Sequence, residues 1–286
     1  MSKQAMRRIG ALVALLLVAY ASARVYDIWD TQLDSIFEPD AVLQTTPARL
    51  GVTFEELRIP SGNGAERGEL YAWWIPAEQN QNNAPTVLYL HGNFRNIGYN
   101  LENALRFRAL GCNLLLVDYR GYGKSTGGKP SEAKVYEDAE AAWQYLLGQR
   151  GVKPQQAFIY GHSLGGAVAI NLAVRHPEAA GLIAESTFTS MRAMGELKHG
   201  LLPIGLLLNQ RFESLQKIAQ LKVPLLLIHG TWDQKVPAGM AKQLFEAAPQ
   251  PKTLVLIEGG EHSNNGAVGG VEYRDAVLAF IRRYAH

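Results

Sequence analysis

Two pentapeptides in this chain follow the pattern Gly-x-Ser-x-Gly: Gly123-Lys124-Ser125-Thr126-Gly127 and Gly161-His162-Ser163-Leu164-Gly165. A serine at that spacing can be a nucleophile lifted out of a tight turn, provided that a strand precedes it and a helix follows. Ser163 meets both conditions. Ala157-Phe158-Ile159-Tyr160 is a short apolar strand, and residues 166–176 carry a helical pattern. Ser125 meets neither. Five residues, 118–122, separate its pentapeptide from the apolar strand at 114–117, and Gly128-Lys129-Pro130 is loop chemistry. Its Gly-Lys-Ser also mimics the end of a phosphate-binding loop, but the position that needs the first glycine holds Asp118.

A serine hydroxyl is a weak nucleophile at neutral pH and needs a base, itself oriented by a carboxylate. Asp233 leaves the strand at 225–228 through the turn His229-Gly230-Thr231-Trp232-Asp233, and His262 follows the strand at 254–257. The order Ser163, Asp233, His262 suits a nucleophile-first arrangement on one sheet. Six other histidines compete with His262. His91, His162 and His229 sit beside glycines at strand exits and read as turn residues or pocket walls. His176 and His199 fall at a helix end and in an insertion, and His286 closes the sequence. Glu185, which also follows a strand, is the rival to Asp233. An oxyanion hole needs two backbone N–H groups, and removing one such donor costs about 3–4 kcal/mol of transition-state stabilisation. Leu164 supplies one. Asn93 in His91-Gly92-Asn93-Phe94 supplies the other, with Phe94 as second choice.

The elements that must hold these residues alternate. Apolar strands at 87–90, 114–117, 157–160, 182–184, 225–228 and 254–257 are interleaved with helical stretches at 101–110, 132–147, 164–176, 238–247 and 271–284. Strands without polar alternation are covered on both faces, so the fold class is α/β, a parallel sheet between helices with its ligand site at the strands' carboxyl ends. Two antiparallel strands at 52–59 and 70–75 precede it. The interval 186–222 is far longer than a crossover needs. Its apolar, Pro- and Gly-broken run at 201–208 reads as a short cap over the site, the other reading being a core helix.

The chain has 286 residues, 47% of them hydrophobic, which suits one large domain. The net charge of +2 comes from the amino end. Lys3, Arg7, Arg8 and Arg24 have no acidic neighbour before residue 25, and the rest is near neutral, which gives no indication of a nucleic-acid partner. Basic Lys3, Arg7 and Arg8, then a run of uncharged residues at 9–23 ending in Ala21-Ser22-Ala23, read as a signal peptide or signal anchor over 1–24. Membrane association through 1–24 and an extracytoplasmic domain over 25–286 are expected, with the basic end left inside. The single Cys112 cannot form an internal disulfide and reads as a buried small hydrophobe.

These segments resemble the α/β-hydrolase superfamily across nearly all of 50–286. The resemblance is strongest to the short-capped, serine aminopeptidase-like hydrolases sometimes grouped as Bem-type proteins. It rests on His91-Gly92-Asn93, Asp118-Tyr119-Arg120-Gly121-Tyr122-Gly123-Lys124-Ser125, Gly161-His162-Ser163-Leu164-Gly165-Gly166, Glu185-Ser186-Thr187-Phe188-Thr189-Ser190, His229-Gly230-Thr231-Trp232-Asp233 and Gly260-Glu261-His262. It implies an eight-stranded, mostly parallel sheet with its second strand antiparallel, and makes the Asp118 loop structural. Glu261 departs from the small or neutral residue usual there. It either raises the basicity of His262 or points to solvent. The expected activity is a serine hydrolase acting on carboxylic esters, thioesters or lipid acyl groups, without metal or organic cofactor. An aminopeptidase using Glu185, Glu196 or Glu213 to hold an amino group, and a catalytically silent tethered scaffold, are the alternatives.

Overall fold

Apolar strands without alternation need cover on both faces, and the computed structural model, which describes residues 2–200 and 207–285, provides it. The strands are β1 (Glu38–Pro39), β2 (Glu55–Ser61), β3 (Gly68–Ile75), β4 (Thr86–Leu90), β5 (Phe94–Arg95), β6 (Asn113–Val117), β7 (Ala157–His162), β8 (Gly181–Glu185), β9 (Leu225–Gly230) and β10 (Lys252–Ile257). Eight of them form one sheet in the order β10-β9-β8-β7-β4-β6-β3-β2. Only β3 runs against the rest, antiparallel to both β2 and β6. β1 and β5 form a separate parallel pair.

The two faces divide the strand residues by parity, as a pleat requires. Leu88, Leu90, Leu115, Val117, Ile159, Leu225 and Leu227 face one core, shared with α3 (Glu132–Gly148), α4 (Leu164–Arg175) and α7 (Ala238–Ala247). Val87, Tyr89, Leu114, Leu116, Phe158, Leu226 and Ile228 face the other, shared with α2 (Ile97–Ala109) and α8 (Gly270–Tyr284). Cys112 lies in this second core, and burial pushes its thiol up to about 12.

The amino-terminal region differs from the sequence reading. One helix, α1 (Lys3–Ile36), runs well beyond the signal segment expected over 1–24, straight through Arg24 and Asp27. Isolated Arg and Asp residues are ordinary helix members. The Ser2 side chain caps its start by accepting from Ala5 N–H, and the chain becomes extended at Phe37, with Pro39 barring return to helix. Its 34 residues span about 51 Å, long and apolar enough to cross a membrane.

The insertion expected over 186–222 is also divided. α5 (Met191–His199) stands over the site, whereas Phe212, Ser214, Ile218 and Leu221, in and around α6 (Ser214–Ile218), are buried in the first core. Residues 201–206 of the apolar run, like His286, lie outside the described residues.

Candidate active site

Ser163 sits between β7 and α4 with φ 54° and ψ −119°, in the left-handed half of backbone space. For a non-glycine residue this costs about 1–3 kcal/mol and persists only when neighbours hold it. Three hydrogen bonds do. Ser163 N–H donates to the Glu185 carbonyl (2.9 Å), and its own carbonyl accepts from Gly166 N–H (2.9 Å) and the Thr187 hydroxyl (2.8 Å). The flanking glycines are required by space. A Cβ at Gly161 would collide with the Gly165 carbonyl, and one at Gly165 with the Leu90 carbonyl.

The loops after β9 and β10 bring two more groups to this serine. His262 Nε2 lies 2.9 Å from Ser163 Oγ, and His262 Nδ1 lies 2.8 Å from Asp233 Oδ2. The other Asp233 oxygen accepts from the N–H groups of Lys235 (2.9 Å) and Val236 (2.8 Å). Burial alone would raise the Asp233 carboxyl, but hydrogen bonds to His229, His262 and Val236 outweigh it and hold the carboxyl well below the usual carboxylate range. The group is therefore an anion at neutral pH. It fixes Nδ1 of His262 as a donor and leaves Nε2 to accept the serine proton.

Asn93 and Leu164 face the same space. Leu164 is the first residue of α4, where an N–H has no partner within the helix. The Asn93 carbonyl is clamped from two sides, accepting from Glu38 N–H (3.0 Å) and the Tyr122 hydroxyl (2.8 Å). Gly92 lets this loop approach closely, since a Cβ there would lie 3.3 Å from Ser163 Cβ. Phe94, the second choice as donor, is a β5 residue paired with Glu38 of β1.

Comparison with known proteins identifies the superfamily and the fold. Residues 81–216 match the serine aminopeptidase S33 family. An uncharacterized protein of Mycobacterium tuberculosis is 34% identical over 281 residues, 98% of each chain. The α/β-hydrolase domain-containing protein WAV2 of Arabidopsis thaliana is 32% identical over 258 residues, 84% of this chain and 82% of that one. The chain belongs to the α/β-hydrolase superfamily. Among solved structures, the esterase Pf2001 of Pyrococcus furiosus shares the fold with a TM-score of 0.70 at 23% identity, covering 88% of this chain and 99% of that one.

In this α/β hydrolase, Ser163, Leu164, Asn93 and His262 line one cavity of about 630 Å³, within the range of small-molecule sites. Phe188, Met191, Met194 and Leu197 supply much of its apolar wall. Other candidates are engaged elsewhere. The Ser125 hydroxyl donates to the Asp118 carbonyl and accepts from Tyr71 N–H, both at 2.7 Å. Glu185 is buried, receiving the Tyr160 and Tyr273 hydroxyls (2.9 Å each) and Asn265 Nδ2 (3.1 Å). Glu261 is exposed, its N–H and carboxylate both turned to Asn264. Glu196 pairs with Arg192 on the outside of α5, and neither it nor Glu213 lines the cavity.

Three contributions escape a reading by motif. His229 Nε2 donates to the Val236 carbonyl at 2.8 Å and lies 3.3 Å from Asp233 Oδ2, so a residue expected to be a turn residue or pocket wall also helps hold the carboxylate. His162 Nε2 lies 2.7 Å from the His262 carbonyl, and its ring is 5.1 Å from the His262 ring. Burial, then His262 nearby, lowers the His162 imidazole from its ordinary value, so it stays neutral and donates Nε2–H to that carbonyl. The i, i+4 spacing of His229 and Asp233 was available as a signal; nothing local marks His162. The third contribution is a helical face of α1, including Gln32, Ser35 and Ile36, that lines the cavity.

Proposed function

We propose that the protein is a serine hydrolase that cleaves carboxylic esters, thioesters or lipid acyl esters through an acyl-enzyme. The observation that carries this reading is the hydrogen-bonded chain from Ser163 Oγ through the His262 ring to Asp233, with its distances of 2.9 and 2.8 Å. Ser163 Oγ attacks the acyl carbonyl while His262 Nε2 takes its proton. The N–H groups of Leu164 and Asn93 hold the oxyanion, and His262 returns the proton to the departing alkoxide or thiolate. Water, deprotonated by the same imidazole, then attacks the acyl carbon. The Ser163–acyl bond breaks, His262 returns that proton to Ser163 Oγ, and the acid leaves. Asp233 remains ionised throughout and stabilises the imidazolium. No metal or organic cofactor enters this scheme.

The apolar wall of Phe188, Met191, Met194 and Leu197 supports an apolar acyl group. Each additional buried methylene adds about 0.8 kcal/mol, roughly fourfold in preference. A peptidase of this design needs an acid reserved for the substrate's amino group. Among the described residues, the acids that line the cavity, Asp27 and Glu38, share it with Lys198 and Lys235, which leaves no net negative site for an ammonium there. The ester reading is therefore favoured over the amide one. The domain is assigned to the extracytoplasmic side, with Lys3, Arg7 and Arg8 retained inside.

The test is hydrolysis of p-nitrophenyl esters from acetate to palmitate, beside p-nitroanilides, by the protein and its Ser163→Ala variant. Ester turnover that peaks at one chain length and is lost in the variant is expected. Folded protein that turns over no ester and resists fluorophosphonate labelling would favour the silent scaffold, and faster anilide turnover would favour the peptidase.

A further inference from the structure

The apolar helix and the cavity are not separate parts of this molecule. Most of the described residues of α1 are exposed: Leu12, Leu15, Leu16, Leu17 and Val18 all face outward, and its most apolar stretch is unburied. Its last turns are different. Asp27, Thr31, Gln32, Ser35 and Ile36 recur at the three- and four-residue spacings of one helical face, and all five line the cavity that holds Ser163 and His262.

This root is firmly fixed. Gln32 is 4% exposed, and its side-chain oxygen accepts from Asn209 N–H at 3.0 Å, which ties the helix to the insertion over the site. Asp34 pairs with Lys129 at 2.9 Å, and Phe37 packs on Phe212 with ring centroids 6.2 Å apart. The next residue, Glu38, donates its N–H to the Asn93 carbonyl. The helix thus runs by one residue into a strand that is hydrogen-bonded to the proposed oxyanion loop.

The lengths match a bilayer. Residues 9–26 of the helix, beyond the basic Lys3, Arg7 and Arg8, rise about 27 Å, close to the about 30 Å of a hydrocarbon core. Tyr20, Tyr26 and Trp29, exposed at 68%, 65% and 55%, are the amphipathic aromatics that settle at a membrane–water boundary. The first cavity-lining residue, Asp27, lies between two of them in sequence. Near the cavity, Leu197 on α5 is 58% exposed, and Trp232, next to Asp233, is 62% exposed.

We propose that α1 is both membrane span and pocket wall, so that the cavity opens at the bilayer surface and takes acyl chains directly from lipid esters lying in that bilayer. The chemistry rests on the serine-hydrolase reading above. The position of the cavity rests on α1 and its contacts. An acyl chain then slides from the hydrocarbon layer along the Ser35–Ile36 face of α1 to Ser163, and its ester group is never exposed to bulk water. Ordering by the bilayer and docking of the chain become one step.

The test uses the full chain in phosphatidylcholine vesicles, with umbelliferyl laurate embedded in them and umbelliferyl acetate in the surrounding water. Wild-type protein is compared with Ser35→Trp, a bulky side chain placed on an exposed position of the wall. The expected result is faster turnover of embedded laurate in vesicles than of the same ester in detergent micelles. Ser35→Trp should lower the laurate-to-acetate rate ratio by about tenfold or more, the equivalent of excluding two methylenes. An unchanged ratio, or laurate turnover no better in vesicles than in micelles, overturns the proposal and leaves the hydrolase reading standing. Absence of turnover on both esters, without fluorophosphonate labelling of folded protein, overturns both.

Discussion

Ser125 and Ser163 occupy the same five-residue pattern and use it for opposite ends. In the first loop the glycines are needed for their conformations: Gly121, Gly123, Gly127 and Gly128 all have positive φ, and the chain winds back on itself. In the second, Gly161 and Gly165 have ordinary φ and are needed for their missing Cβ atoms, while the positive φ falls on the serine itself. Both loops need glycine for closeness, since a Cβ at Gly121, Gly123 or Gly127 would also collide; only the first needs it for its backbone conformation as well. The Ser125 hydroxyl satisfies two backbone groups and is consumed by structure. The Ser163 hydroxyl has a ring nitrogen as its partner and remains available for reaction.

That contrast can be broken most severely at Ser163. Ser163→Ala should lower ester kcat by about 10⁴-fold or more while leaving a cooperative melt, which a paired activity and thermal-denaturation measurement checks. Asp233→Asn comes next. Loss of the anion that fixes the His262 tautomer should cost about 10³–10⁴-fold in kcat. Its stability effect has a definite sign. The folded carboxyl lies below its unfolded value of about 3.9, so it stabilises the fold at pH above that value and loses the contribution as pH falls further. The difference in Tm between wild type and Asp233→Asn should therefore be widest near neutrality and shrink below about pH 4.

Smaller effects sharpen the comparison. His162→Phe keeps a ring against His262 but removes the hydrogen bond to its carbonyl, which should lower kcat by up to about tenfold with little change in KM. Ser125→Ala should leave kcat within about twofold and lower the Tm by a few degrees, because it strands the Tyr71 N–H at a cost of about 1–3 kcal/mol. A large loss of kcat in a folded Ser125→Ala protein would contradict the division of roles between the two loops.

Much of this was legible in the sequence because the relevant signals are local. A buried strand is a short apolar run, and the six parallel strands read at 87–257 all lie within two residues of their observed bounds. Ser163, Asp233 and His262 each follow such a run, so their meeting at one edge of the sheet follows from topology. What was not legible depends on partners distant in sequence. Residues 27–37, beyond the expected signal segment over 1–24, carry no local mark of their role because their contacts are with Asn209, Phe212 and Lys129. Phe212 and Ile218 look like part of a surface insertion until α4 is placed beneath them. Glu185 resembles a catalytic acid by position. The Tyr273 and Asn265 side chains that hold it come 88 and 80 residues later.

The Glu185 cluster also has a consequence for how the protein is made. Its carboxylate and Ser163 emerge early from the ribosome. The Asn265 and Tyr273 groups that satisfy the one, and the His262 imidazole that activates the other, follow 80 to 99 residues behind. At translation rates of about 5–20 residues per second, this leaves a window of about 5–20 seconds in which the serine has no base. The apolar helix α1 precedes all of them. A nascent chain can therefore be delivered to its destination while still chemically silent, and become competent only when the second half of the sheet closes on the first.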